Sequence, residues 1–300
     1  MRHLFYKPLF VLLFICIACK AFSQSDSTTT VAAADTATTA AAKKNSFKIG
    51  VDYLSNNVFM GRTGIKNIPI ISPDIKYALK CGLYFSGSMD FLPDNKKNAI
   101  DGGDLSAGYD FDITDDFYGG VSYSKLFYNP NSTLIGSSIS STFNLNFSYD
   151  IGDIITPTIS SDYNINTGAT SDLFVNFGLA HDFIAEKIFG DKDLIIVSPT
   201  IEANWGTQNF YDAYITKKVF KSKKASTLVA AFENNLDQFE LLDYEFSVPL
   251  EYKAGHFIFE FTPTYAIVQN GFKSAAVAKA VGLSDNTSVF YVQAGIALKF

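Results

Sequence analysis

Carboxylates dominate the chemistry available to this chain. Asp52, Asp90, Asp104, Asp110, Asp182, Glu202, Asp243, Glu245 and Glu260 sit in segments where apolar and polar residues alternate, all in the polar phase. Lys48, Lys76 and Lys299 are the clearest cations in that phase. Side chains that alternate this way share one face of a β-sheet, so these groups are expected to line a common acidic surface. Carboxylates around a passage favour cations and repel anions. Asp52, Asp110, Asp182, Glu202, Glu245 and Glu260 are therefore the candidate pore-lining residues. Glu245 and Glu260 flank the turn at Lys253 to Gly255, a spacing that would bring them together at middle depth. A second reading stays open: the same carboxylates are hydrogen-bonded to Ser, Thr, Asn and Tyr of a filled interior and conduct nothing.

Other chemistries find little support. The three histidines are His3, His181 and His256. A Ser-His hydrolase needs a serine on the same face as its base, but His181 falls in the apolar phase, with Phe183 where that serine would stand. His256 lies beside a turn, with no cysteine or second histidine near it to ligate a metal. The chain shows no glycine-rich phosphate loop and no nucleophile elbow. No catalytic residue, cofactor or metal is expected. Lys217, Lys218, Lys221, Lys223 and Lys224 form a basic run between segments. Such a run is a solvated face that, outside a cell, can meet anionic lipopolysaccharide or fold into an acidic lumen as a plug.

The elements that position these groups are long strands. From Phe290 the residues Phe290, Val292, Ala294, Ile296, Leu298 and Phe300 point one way, and Tyr291, Gln293, Gly295, Ala297 and Lys299 the other. Phe257, Phe259, Phe261, Tyr265 and Ile267 repeat the pattern, as do Leu242, Tyr244, Phe246, Val248 and Leu250, and Phe143, Leu145, Phe147 and Tyr149. About twelve strands follow, at 47–58, 70–80, 82–92, 102–113, 116–128, 137–150, 154–165, 171–184, 193–205, 238–252, 256–269 and 287–300. Connections after even strands are mostly tight, while those after odd strands reach Gly206 to Asp237 and Asn270 to Asn286. An all-β, transmembrane, antiparallel up-and-down barrel shows this alternation of loop lengths. A soluble β-sandwich also alternates apolar and polar residues, but its strands are shorter and its loops do not sort by side. A membrane also accounts for 28 Phe and 16 Tyr against one Trp, because aromatic girdles mark both edges of the lipid band.

The ends of the chain read as export signals. Arg2 and Lys7, the apolar run Leu9 to Cys19 and the small-residue site Ala21-Phe22-Ser23 make residues 1–23 a secretory signal peptide. That apolar run is too short to span a bilayer as a helix. A lipoprotein signal at Cys19 is the competing reading, which Cys16 and Ile17 fit poorly. Cleavage removes Arg2, Lys7 and Lys20 and takes the net charge from −6 to −9. An acidic chain of this kind is no nucleic-acid partner. Cys81 is then the only exported thiol, so no intrachain disulfide can form. Residues 24–45, rich in Ser, Thr and Ala, hold no core and read as a disordered periplasmic leader. Asp26-Ser27-Thr28 and Asp35-Thr36-Ala37 within it resemble a Bacteroidota O-glycosylation acceptor, with a plain solvated linker as the simpler reading. Residues 46–300 form the barrel, and the strand ending in Phe300 resembles the signal that Gram-negative barrel-assembly machinery reads.

Val51 to Arg62, then Ile71-Ser72-Pro73 and Lys80 to Tyr84, resemble the opening of the TorF-like porins, a Bacteroidota-type barrel family. Met60-Gly61-Arg62 stands where that family has Trp-Arg-Gly, and Ala107-Gly108-Tyr109 is similar to its glycine-tyrosine strand. The resemblance covers about the first third of the barrel. It implies a porin-type barrel of the outer membrane and carries over no catalytic residue. The expected function is a narrow channel for cations or small solutes. Its alternative is a structural or adhesion barrel acting through its long outer loops, and an outer-membrane lipid hydrolase is the third hypothesis.

Overall fold

The computed structural model describes residues 44–95, 99–211, 236–271, 278 and 283–300. The expected signal peptide, most of the leader, and Lys217, Lys218, Lys221, Lys223 and Lys224 lie outside the described residues.

Twelve antiparallel strands close into an up-and-down barrel. They are β1 (Ser46–Leu54), β2 (Ile70–Ala78), β3 (Leu83–Phe91), β4 (Ile100–Asp112), β5 (Phe117–Tyr128), β6 (Ile139–Tyr149) and β7 (Thr156–Asn166). β8 joins Asp172–Ala180 to Phe183–Glu186, β9 joins Asp193–Val197 to Thr200–Gly206, and β10 joins Glu240–Ser247 to Leu250–Ala254. β11 (Phe257–Val268) and β12 (Ser288–Lys299) complete the ring. β12 pairs with β11 on one side and with β1 on the other, from Lys48↔Lys299 to Leu54↔Gln293, which seals the barrel. Closure pairs the long strands on both sides, as a sheet in lipid requires, and Phe183–Glu186 at the turn end pairs with Asp193–Val197 alone.

The alternation in the sequence places the two faces. On β1, Phe47, Ile49, Val51 and Tyr53 are 37–47% exposed, and Phe257, Phe259, Phe261 and Tyr265 on β11 are 40–47% exposed. A continuous belt of exposed Phe, Tyr, Ile and Leu is far larger than the apolar patches of soluble surfaces, so this belt faces lipid. Strands of 9–13 residues in the first half of the barrel match the roughly 9–11 needed for a tilted crossing. Lys125, on the outward phase of β5 near its loop end, lies 3.3 Å from the Ser141 hydroxyl, which Tyr123 also contacts at 3.2 Å. A lysine at that depth lays its stem along apolar neighbours and sends its head to the headgroups.

Three strands expected to run unbroken are creased instead. The breaks at His181-Asp182, Ser198-Pro199 and Val248-Pro249 are adjacent in the sheet, since Ala180 pairs with Thr200 and Thr200 with Ser247. Pro199 and Pro249 lack the ladder donor. Pairing continues through Ser198 N–H to the Pro249 carbonyl at 2.9 Å, and the Ser198 hydroxyl donates to Asp182 Oδ1 at 2.6 Å.

The connections at the end holding both described termini are all short, while at the opposite end only 167–171, between β7 and β8, is comparably tight. Gly82 shows why the first is tight: its φ is +91°, and a Cβ there would lie 2.0 Å from the Asp110 carbonyl oxygen. Gly82→Ala is expected to lower the barrel's unfolding free energy by about 1–3 kcal/mol, measured by urea denaturation in lipid; an unchanged midpoint would contradict the turn geometry.

The opposite end holds what the strand pattern does not show. There the loops β1–β2 and β5–β6 meet the described residues of loops β9–β10 and β11–β12. Ile135, Ile139, Phe174, Phe210, Tyr211, Leu236, Leu242 and Leu283 form a buried apolar cluster there, with Phe59 and Met60 packed against it. Ile70, Leu92 and Leu134 form a second cluster beside it. These clusters roof the loop end of the barrel.

Candidate functional site

Beneath the roof lies a polar chamber of about 620 Å³. Its wall carries Asp52, Asp74, Asp90, Asp104, Asp162 and Glu260 against two cations, Lys48 and Lys76. Register builds it: Asp52 on β1 stands opposite Ser72 on β2 and Gly295 on β12, and Asp104 on β4 opposite Ser88 on β3 and Leu126 on β5.

Two kinds of carboxylate share this wall. Asp90, Asp104 and Asp162, on β3, β4 and β7, are each tied to a neighbouring strand. Ser72 donates to Asp90 at 2.7 Å, Ser88 and Ser106 both donate to Asp104, and Asn144 donates to Asp162 at 2.7 Å. The second group gathers where the barrel closes. Lys48 Nζ lies 3.3 Å from Glu260 Oε1, with Asp52 and Asp74 in the same field. Glycine makes room for it: a Cβ at Gly295 would lie 2.4 Å from Asp52 Oδ1 and 3.2 Å from Glu260 Oε2. Gly295→Ala is expected to displace both carboxylates and to destabilise the barrel by about 1–3 kcal/mol, read as a lower unfolding midpoint; full wild-type stability would show the packing to be looser than described. Toward the turn end, the Lys76 ammonium sits 3.9 Å above the Tyr84 ring, whose far edge lies over Gly108.

Glu245 and Glu260 do not meet. Glu245 pairs with Glu202 on β9 and Ala266 on β11, while Glu260 pairs with Glu251 on β10 and Gly295 on β12. From 260 to 266 along β11 is a separation of about 20 Å, so the pair expected across the turn is split into two groups. Glu245 accepts from the Tyr291 hydroxyl at 3.1 Å and stands one inward step below Asp243, which is fully buried. Asp182 lies at the crease near the turn end. Asp110, on the inward face of β4, pairs with Gly120 at the turn end of the barrel. Of the six candidates, Asp52 and Glu260 line the chamber together, Glu202 and Glu245 form a second group, and Asp110 and Asp182 stand apart.

Three chamber residues, Asp74, Asp162 and Tyr84, were not among the candidates. Each shares the inward phase of its strand, and Asp74 lies two residues from Lys76, so alternation was the signal for all three. The two described histidines hold structural contacts: His181 Nδ1 donates to the Ile154 carbonyl at 2.6 Å and His256 Nδ1 to the Lys299 carbonyl at 2.7 Å. His181 stands edge-on to Phe183 and His256 stacks on Phe300. Among the described residues, no group of three or more His, Cys, Asp or Glu is arranged to hold a metal ion.

No family model matches the chain, and no curated protein matches it. Among solved structures it is similar to the KdgM porin, at 10% identity and a TM-score of 0.48 over 84% of this chain and 99% of that one. It is similar to the NanC porin at 11% identity and a TM-score of 0.45, over 85% of this chain and 100% of that one. LpxR from Salmonella typhimurium is similar at 9% identity and a TM-score of 0.46, over 84% of this chain and 99% of that one. Likenesses at this level assign no activity to the chain.

Proposed function

We propose that this protein is an outer-membrane barrel of porin type that passes small cations and small polar solutes through an acidic lumen. The observation that carries this reading is the chamber itself: about 620 Å³ of polar-walled space with six carboxylates and two ammonium groups. A barrel that served only as a scaffold would gain more from an interior packed with side chains than from a carboxylate-lined chamber. Carboxylates held on rigid strands concentrate cations and exclude anions. The resemblance of residues 51–84 to the TorF-like porins supports the same class.

A second reading is favoured by a separate observation. The loop end is roofed by buried apolar clusters, and Asp90, Asp104 and Asp162 are bonded to their neighbours. Both features suit a closed barrel that acts through its outer loops. Swelling of liposomes holding the refolded barrel separates the two. Uptake of an amino sugar ahead of a sugar acid of equal size supports the channel. A folded barrel that admits neither supports the closed barrel. Export by the signal peptide at 1–23, assembly through the strand ending in Phe300 and contact of the 217–224 lysines with lipopolysaccharide belong to the same proposal.

A further inference from the structure

The segment expected to extend β1 to residue 58 does something else. After Leu54 the chain leaves the wall, and Val58–Phe59 pairs with Arg62–Thr63 as a separate two-stranded sheet outside the barrel ladder. Its tip, Met60-Gly61, has φ of +48° and +71°. Two positive φ values in succession suit the tight hairpin turn whose twist matches paired strands.

Three contacts seat this hairpin in the lumen, and each uses a different residue of the tip. The Phe59 ring packs edge-on against Phe174 and Phe210, with centroids 5.7 and 4.9 Å away. The Arg62 guanidinium, 5% exposed, donates to the carbonyls of Leu242 at 3.0 Å, Gln269 at 3.2 Å and Asn270 at 3.3 Å, and to Gln208 Oε1 at 3.0 Å. Gly61 lies so close to Asp243 that a Cβ would stand 2.7 Å from its Oδ2. The tip therefore rests on the uppermost carboxylate of the Asp243, Glu245, Glu202 group. Among the described residues, backbone links join it to the β11–β12 loop through Ser284 N–H to the Thr63 carbonyl at 3.0 Å and a bridge between Gly64 and Leu283.

We propose that the Val58–Thr63 hairpin is a gate: seated, it closes the acidic lumen at the loop end, and solutes pass when it withdraws. This rests on the channel reading above and adds its regulation. A guanidinium satisfied by carbonyls and an aromatic wedge held by edge-on contacts form a latch that can release without unpairing any barrel strand. Ligands or loop contacts that prefer the withdrawn hairpin then set the open fraction.

The test uses the full mature protein refolded in oriented proteoliposomes, in a Cys81→Ser background carrying Ser122→Cys in the chamber wall. Two gate variants are compared with the intact hairpin: Phe59→Ala, and replacement of residues 58–63 by Gly-Ser-Gly. A cationic methanethiosulfonate reagent is added from the loop side, and channel steps are recorded in parallel in planar bilayers. Labelling of Cys at 122 should speed up about tenfold or more in both variants, with more frequent steps. Unchanged labelling in folded barrels of both variants would overturn the gate. If Phe59→Ala fails to fold, the shortened hairpin decides alone. Currents that flow equally in all forms, with unchanged labelling, would sink the gate and leave the channel standing. Faster labelling with no current in any form would keep the gate and sink the channel.

Discussion

Asp172→Ala is expected to be among the most destabilising single substitutions in this barrel, lowering its unfolding free energy by about 3 kcal/mol or more. The Asp172 carboxylate, at the loop end of β8, is fully buried. It accepts from the backbone N–H groups of Asn209 and Phe210 at 2.6 and 2.7 Å, the Thr207 hydroxyl at 2.7 Å and Asn166 Nδ2 at 2.6 Å. Removing it takes the acceptor from the buried N–H groups of Asn209 and Phe210, while Asn166 keeps the Thr170 carbonyl at 2.7 Å. It also frees Phe210, against which Phe59 packs, so the loss spreads into the roof. Asp172→Asn retains an acceptor oxygen and should lose about half as much. Urea unfolding in lipid vesicles measures both, and a loss under about 1 kcal/mol for the alanine variant would show that the roof does not depend on this carboxylate.

The second large effect is on ion preference. Two unit charges about 6 Å apart interact by roughly 3 kcal/mol at an effective dielectric near 20. Single neutralisations in the Lys48, Asp52, Asp74, Glu260 group should therefore alter the cation-to-anion permeability ratio severalfold, in directions set by sign. Asp52→Asn with Glu260→Gln removes two of its three carboxylates and should lower the ratio by about tenfold. Lys48→Met removes the cation that opposes them and should raise it. Reversal potentials under a salt gradient read both. Shifts of the same sign in the two variants would mean that these groups do not face the permeating ion. High salt should compress both effects, because mobile ions screen the lumen.

The barrel was open to reading because one face of nearly every strand meets lipid and the other meets polar groups. β12 and β11 show this best, with Phe290, Ile296, Phe257, Phe259 and Phe261 outward and Gln293, Gly295, Glu260 and Thr262 inward. A one-residue error in register would have sent every carboxylate into lipid, so the phase of Asp52 and Glu260 followed from Val51 and Phe261. Depth did not follow. Glu245 and Glu260 flank one turn in sequence, but the crease at Val248-Pro249 and the register to Ala266 set them in different groups.

The roof was hidden for another reason. Its apolar residues come singly or in pairs from several loops, Phe59, Ile135, Phe210 and Leu283 among them, and from strand ends such as Ile70, Ile139, Phe174 and Leu242, and the loop residues repeat with no period. Met60-Gly61-Arg62 stood out as a family-like motif, yet nothing in that triplet shows that Arg62 turns inward to the carbonyls of Leu242 and Gln269, some 180 and 207 residues away in sequence. Asp172 gave a weak signal, a carboxylate opening an otherwise apolar strand six residues after Asn166. Its four donors come from both sides of β8, from the end of β7 and from the loop after β9, which only the folded register assembles.

The central claim is that the acidic chamber conducts cations. The direct measurement is the reversal potential of the refolded mature barrel in a planar bilayer separating concentrated from dilute potassium chloride, with the hairpin intact and with residues 58–63 replaced. The account predicts discrete steps with a reversal potential of the sign set by potassium flow, more frequent when the hairpin is removed. Anion preference, or silence from a folded barrel in both forms, would contradict it.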